Sequence, residues 1–138
     1  MNLILDTCAA SEWVKAQPNP GWMQWMARVP EPCLFLSSIS IAEIRFGAER
    51  LAPGHQRARL EHWLASLPDR FGERLLPVDI AVANSWGVLV ARRAVAGRPI
   101  SPFDALIAAT AQVHSLAVVT RDVDDFRDCG VAVVNPWS

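Results

Sequence analysis

No apolar run in this 138-residue chain approaches the roughly 20 residues that a membrane-spanning helix needs. The opening stretch, Met1-Asn2-Leu3-Ile4-Leu5-Asp6, lacks the basic flank and long apolar region of a signal peptide. These absences lead to the expectation of a cytoplasmic protein with no membrane association. Cysteine is scarce: Cys8, Cys33 and Cys129 stand far apart, without a CxxC pair, and their number is odd. That argues against a disulfide scaffold and against a thiolate zinc site. Neither a GxGxxG nor a Walker A motif is present. His55, His62 and His114 do not form a ligand spacing. Lysine is nearly missing: Lys15 stands alone among 13 basic residues. Codon bias in a GC-rich genome would produce that imbalance; arginine forks also suit phosphate oxygens. The net charge of −1 does not by itself mark a nucleic-acid binder.

What is there fits one domain, spanning residues 1–138, with a composition (51% hydrophobic, 20% charged) that can bury a core. Short apolar runs at residues 2–5, Cys33 to Leu36, Leu75 to Val78, Leu116 to Thr120 and Val131 to Val134 read as strands. Helical patterns lie between them: Ala9 to Ala16, Trp22 to Val29, Ile39 to Leu51 with Ser40 as N-cap, His55 to Leu67, and Asp79 to about Ala96. Ser101-Pro102 is a helix start signal, and that helix runs to about Ser115. A single helical turn is expected over Val123 to Arg127. The strands do not alternate polar with apolar. That pattern calls for a three-layer α/β/α sandwich with a short, mostly parallel central sheet. In such sheets, ligands bind beyond the strand C-termini, where the strand order reverses.

The acids fall along that edge. Asp6 ends the first strand, Glu43 and Asp104 each occupy a helix first turn, and Asp122 follows the strand that ends at Thr120, with Asp124 and Asp125 close behind. Each has a bland explanation, because Ser40–Glu43 and Ser101–Asp104 read as capping boxes and a helix dipole favours first-turn acids. Asp6 is harder to explain so, since an unpaired carboxylate after a buried strand is costly. Like charges this close repel, and a divalent cation removes the problem; oxygen-only ligands select Mg²⁺ or Mn²⁺. With those four acids set aside, 13 basic residues face 10 acidic ones, so the rest of the chain carries +3. Arg45, Arg50, Arg92, Arg93, Arg98 and Arg121 are candidate phosphate contacts, with Arg45, Arg98 and Arg121 closest to site segments. Cys8, without a nearby His, reads as a structural residue rather than a nucleophile.

Leu5-Asp6-Thr7, Ser40-Ile41-Ala42-Glu43-Ile44-Arg45-Phe46-Gly47, the run Ser101-Pro102-Phe103-Asp104-Ala105-Leu106-Ile107-Ala108-Ala109-Thr110-Ala111, Thr120-Arg121-Asp122-Val123-Asp124-Asp125-Phe126 and the ending Val134-Asn135-Pro136-Trp137 together resemble the PIN-domain toxins of VapBC type, in particular their FitB-like branch. The resemblance spans essentially the whole chain. It implies the toxin component of a type II toxin–antitoxin system, a Mg²⁺-dependent endoribonuclease (Mn²⁺ serving equally) held inactive by a cognate VapB-like antitoxin. It further implies a toxin homodimer, with DNA binding supplied only through the antitoxin. In that likeness Asp6 and Asp104 take the places of the principal metal-binding aspartates and Glu43 that of the family's glutamate. Asp122 stands for a fourth acid, and Asp125 holds a family-like position beside Phe126. Glu43, Asp122 and Asp125 are thus further metal-ligand candidates. Cys8 departs from the pattern, in which Asn or Ser commonly follows the Asp-Thr pair. The RNA contacts fall to Arg45, Arg98 and Arg121.

Two rival readings remain. A phosphatase or phospho-receiver also gathers acids on an α/β edge, but it needs a lysine, and Lys15 in the first helix is the only one. A non-catalytic partner of a DNA-binding antitoxin in a repressor complex is the other. For partner docking, Trp22, Trp25, Met26, Phe46 and Trp63 are the expected lining of an apolar groove.

Overall fold

The computed structural model describes residues 1–137. Its centre is β1 (Leu3–Leu5), every residue of which is buried. β1 leads into α1 (Thr7–Ser11) and a 3₁₀ turn over Glu12–Val14, then α2 (Pro20–Arg28). Next come β2 (Leu34–Ser37), α3 (Ser38–Glu49), α4 (His55–Phe71) and β3 (Leu75–Leu76). The chain continues through α5 (Ile80–Val95), α6 (Pro102–His114), β4 (Ala117–Val119), α7 (Val123–Phe126) and β5 (Val133–Val134).

The five strands pair in the order β3-β2-β1-β4-β5, all parallel. Leu5 sits opposite Leu36 on one side and Val119 on the other. Successive strand residues face opposite sides of a sheet, so Leu3 and Leu5 join Leu34, Leu36 and Val119 in a core closed by Ala9, Ala10, Ile44, Leu64 and Phe71. Ile4 and Val118 face the other layer, packed by Leu89, Ala105, Ala108, Ala111 and Phe126. The alanine run of α6 lets that helix lie close on the sheet. Both faces are covered, which is why the strands read as unbroken apolar runs. Among the described residues, no helix is long and apolar enough to cross a membrane.

Several boundaries differ from the sequence expectation for identifiable reasons. α1 starts at Thr7 and not Ala9, because Asp6 itself is the N-cap and accepts from Ala9 N. α2 starts at Pro20 and not Trp22: Asn19 caps it and Pro20 occupies the first turn. Ser40 does not cap α3. Ser37 does, accepting from Ile39 N at 3.0 Å, while Ser40 is buried within the helix. The Ser40–Glu43 capping box is therefore not formed. α4 runs past Pro68 to bury Phe71, and stops at Gly72, whose φ of 55° suits a residue without Cβ.

Candidate active site

β1 is the strand from which the chain first crosses to β2 on one side and later returns as β4 on the other. The sheet therefore opens beyond the ends of β1 and β4, the place where α/β sheets bind ligands. Asp6 lies there. Its N–H donates to Val119 O at 3.0 Å, continuing the pairing of β1 with β4 by one residue. Its Oδ1 accepts from Ala9 N at 2.7 Å and its Oδ2 from Thr120 Oγ1 at 2.6 Å. The residue is only 3% exposed. Burial pushes its carboxyl up to about 6, against the pull of those two hydrogen bonds; the charges of Asp104 and Asp122 add to the rise.

Asp104 is in the first turn of α6, whose cap Ser101 accepts from Asp104 N at 3.2 Å. The capping expected at this helix is present. Burial raises the Asp104 carboxyl, a hydrogen bond from Ser101 lowers it, and the charges of Asp125, Glu43 and Asp122 raise it again. Asp104 therefore shares one electrostatic neighbourhood with four other acids from four different elements or loops. Glu43, on α3, is held from across the site: Thr7 Oγ1 donates to its Oε1 at 2.6 Å and lies 3.1 Å from Ser40 Oγ. Asp122 is positioned through its backbone, whose N–H donates to Thr120 Oγ1 at 2.9 Å. Asp124, by contrast, is paired with Arg127 at 2.8 Å.

Cys8 belongs to this constellation. Its sulfur is 3.8 Å from Asp122 Oδ2. Burial of the thiol, and the charges of Asp6 and Asp122, push it up to about 11, so it is a neutral thiol in the metal-free protein at neutral pH and no nucleophile. From the sequence alone Cys8 reads as structural, and Thr7 and Thr120 are not among the expected site residues. Both threonines carry a signal: each is a hydroxyl residue within two positions of a site aspartate at the end of a buried apolar run.

The arginines divide. Arg45 pairs with Glu49 and Glu61, each at 3.6 Å, on the α3–α4 surface, and Arg98 pairs with Asp128. Both guanidinium groups are thus engaged by carboxylates outside the acidic centre. Arg121 lies over the Trp137 ring, 5.8 Å from its centroid, and its charge acts on Cys8. Arg93 is not available to phosphate. It is 6% exposed and donates to the carbonyls of Arg98 and Arg127 at 2.6 and 2.7 Å, clamping two loops together. Of the expected groove residues, Trp22 is buried at 3% exposure and belongs to the core, whereas Phe46 stands 63% exposed. A groove of about 420 Å³ does run beside α2, lined by Trp13, Trp22, Met23, Met26 and Val29.

The donor set suits a hard divalent cation: carboxylate oxygens, one of them buried and costly when charged alone, with no lysine or arginine paired to Asp6, Glu43, Asp104 or Asp122 among the described residues.

Comparison with known proteins supplies the remaining context. The model of the PIN domain family matches residues 3–131. VapC ribonuclease Y4jK of Sinorhizobium fredii is 36% identical over 137 residues, covering 98% of this chain and 97% of the relative. Toxin FitB of Neisseria gonorrhoeae is 37% identical, with 98% of each chain covered. A solved structure of FitAB bound to a DNA fragment superposes with a TM-score of 0.91 at 35% identity, covering 99% of this chain and 96% of the other.

Proposed function

The chain belongs to the PIN-domain family, and from that premise we propose that it is the toxin of a toxin–antitoxin pair, a metal-dependent endoribonuclease whose centre is Asp6, Glu43, Asp104 and Asp122. The observation that carries this reading is the buried, raised Asp6 carboxyl surrounded by other acids at the point where the strand order reverses. The ribonuclease and toxin names of its relatives support it.

Asp6 and Asp104 would hold Mg²⁺ or Mn²⁺, with Glu43, Asp122 and Asp125 within the same electrostatic neighbourhood. A divalent cation bound there supplies charge for the phosphoryl oxygens and lowers the pKa of the attacking water. The protein's own contribution is order. Thr120 and Ala9 N fix the Asp6 carboxylate, and Thr7 fixes Glu43 so that its second oxygen can accept a proton from the water. Water oxygen joins phosphorus, the bond from phosphorus to the 3′ oxygen breaks, and that oxygen takes a proton, leaving a 5′-phosphate and a 3′-hydroxyl. Arg121, next in chain to Asp122, is the best placed of the three arginines to hold flanking backbone.

The partner is an antitoxin, a reading supported by the likeness to FitAB solved on DNA and to a VapBC complex described as a toxin–antitoxin system. DNA binding then comes through the antitoxin. The groove beside α2 supports a seat for its tail, and a cationic side chain reaching the carboxylates would silence the site. The deciding experiment is cleavage of purified RNA by the purified chain with and without EDTA. Loss in EDTA and recovery with Mg²⁺ are expected. Undiminished cleavage with all trace metal removed would overturn the metal mechanism, and no cleavage under any metal would favour a non-catalytic partner.

A further inference from the structure

We infer that Cys8 sets the cation preference of the acidic centre: its sulfur, with one oxygen each from Asp6 and Asp122, forms a three-ligand seat for Zn²⁺ that competes with the hard cation of the nuclease reaction. The ligand atoms of these three side chains all lie within 4.8 Å of one another, and no other His, Cys, Asp or Glu trio among the described residues comes so close. Donors bound to one zinc at about 2.0–2.3 Å stand roughly 3.3–3.8 Å apart. The Cys8 sulfur is already 3.8 Å from Asp122 Oδ2, so small side-chain rotations complete the seat.

The three ligands are held independently. Asp6 is fixed by Ala9 N and Thr120, Cys8 sits in the first turn of α1, and Asp122 is tied through its backbone to Thr120. Cys8 is partly open to solvent, so an ion can reach it. Softness supplies the selectivity: sulfur adds little for Mg²⁺, which wants oxygen, but favours Zn²⁺ and Cd²⁺. As the metal–sulfur bond forms, the thiol proton passes to solvent. The seat then carries three anionic ligands and leaves a fourth zinc position open to water. Because Asp6 serves both ions and Asp122 stands in the same electrostatic neighbourhood, Zn²⁺ occupancy excludes the catalytic cation. That inhibitory consequence rests on the nuclease reading; the seat itself does not.

The test uses the full-length metal-free chain and Cd²⁺ as the probe, read by the ultraviolet charge-transfer band of a cadmium–thiolate bond, with Zn²⁺ and Mg²⁺ affinities measured by calorimetry. The band is expected to saturate at one cadmium per chain and to vanish in both Cys8→Ser and Cys8→Ala. Asp122→Asn should weaken it. The ratio of Zn²⁺ to Mg²⁺ affinity should fall at least about tenfold in the Cys8 variants. A band that persists in them, arising from Cys33 or Cys129, or an unchanged affinity ratio, overturns the inference. A chain that shows the Cys8-dependent band yet cleaves no RNA supports the zinc seat and counts against the nuclease reading instead.

Discussion

The Thr120 hydroxyl donates to Asp6 Oδ2 at 2.6 Å across 114 positions of sequence. The hydroxyl oxygen of Thr120 in turn accepts from Asp122 N at 2.9 Å. One fully buried hydroxyl thus joins the ends of the two central strands and sets two of the site's acids relative to each other. The protein's own hydrogen bonds place the carboxylate.

Thr120→Val keeps the shape of the side chain and removes this donor. Asp6 Oδ2 then lacks its donor while Oδ1 keeps Ala9 N, at a cost of about 1–3 kcal/mol in stability. Thermal denaturation should show a lowered melting temperature, and RNA cleavage should fall by roughly 10–100-fold, as for other groups that orient a metal ligand. Wild-type cleavage rates in a folded Thr120→Val protein would show that Asp6 needs no such support.

Asp6→Asn and Asp104→Asn should each lower cleavage by roughly 100-fold or more, because each removes charge from the centre where the cation and phosphate meet. Asp124→Asn should leave it within about twofold, since Asp124 is spent on Arg127 at the surface. Single-turnover RNA cleavage by the three variants checks the ranking, and equal losses would mean that the centre has been drawn around the wrong acids.

The raised Asp6 carboxyl makes the metal-free fold sensitive to pH. It titrates at about 6 in the fold against 3.8 for an aspartate in water. Between those values the folded chain holds a proton that the unfolded chain has lost, so stability falls as pH rises through this window and stays lower above it, by roughly 3 kcal/mol. Asp104, also raised, acts in the same direction. Asp6→Asn should therefore melt higher than wild type at neutral pH without metal, with the gap closing on acidification. Added Mg²⁺ should stabilise wild type and not Asp6→Asn. Melting curves across pH, with EDTA and with Mg²⁺, test both statements.

Thr7→Val should release Glu43 while leaving the Asp6 hydrogen bonds in place. The expected result is slower cleavage, by about 10-fold or more, with the affinity for Mg²⁺ nearly unchanged. A drop in Mg²⁺ affinity equal to the drop in rate would instead make Glu43 a direct metal ligand.

An anionic centre that acts on an anionic substrate is most simply blocked by a cation. Replacing the basic residue that the antitoxin tail brings to the carboxylates by alanine should restore RNA cleavage within an intact complex. Sedimentation of the isolated toxin should give a dimer. A complex that stays inactive after every basic residue of the tail is removed would make the block steric.

Much of the architecture was legible in the residue order because its signals are local. The unbroken apolar runs of Leu3–Leu5 and Ala117–Val119 reported strands buried on both faces, and Ser101-Pro102 reported the start of α6. The acids at those element ends were legible for the same reason, which is why Asp6 and Asp104 could be singled out. Helix α3 shows where local signals fail: Ser37 and Ser40 both precede favourable residues, and only the end of strand β2 at Ser37 decides which serine caps. The contacts that make a site of these residues depend on register. Pairing Leu5 with Val119 brings Asp6 beside Thr120, packing α1 against α3 brings Thr7 to Glu43, and the loop after β4 brings Asp122 to Cys8. A shift of one residue in the pairing of β1 with β4 would separate Thr120 from Asp6. Residues 36 and 114 positions apart carry no local trace of such neighbours, so the acid positions could be read along the chain, while their hydroxyl and thiol partners were chosen by the sheet.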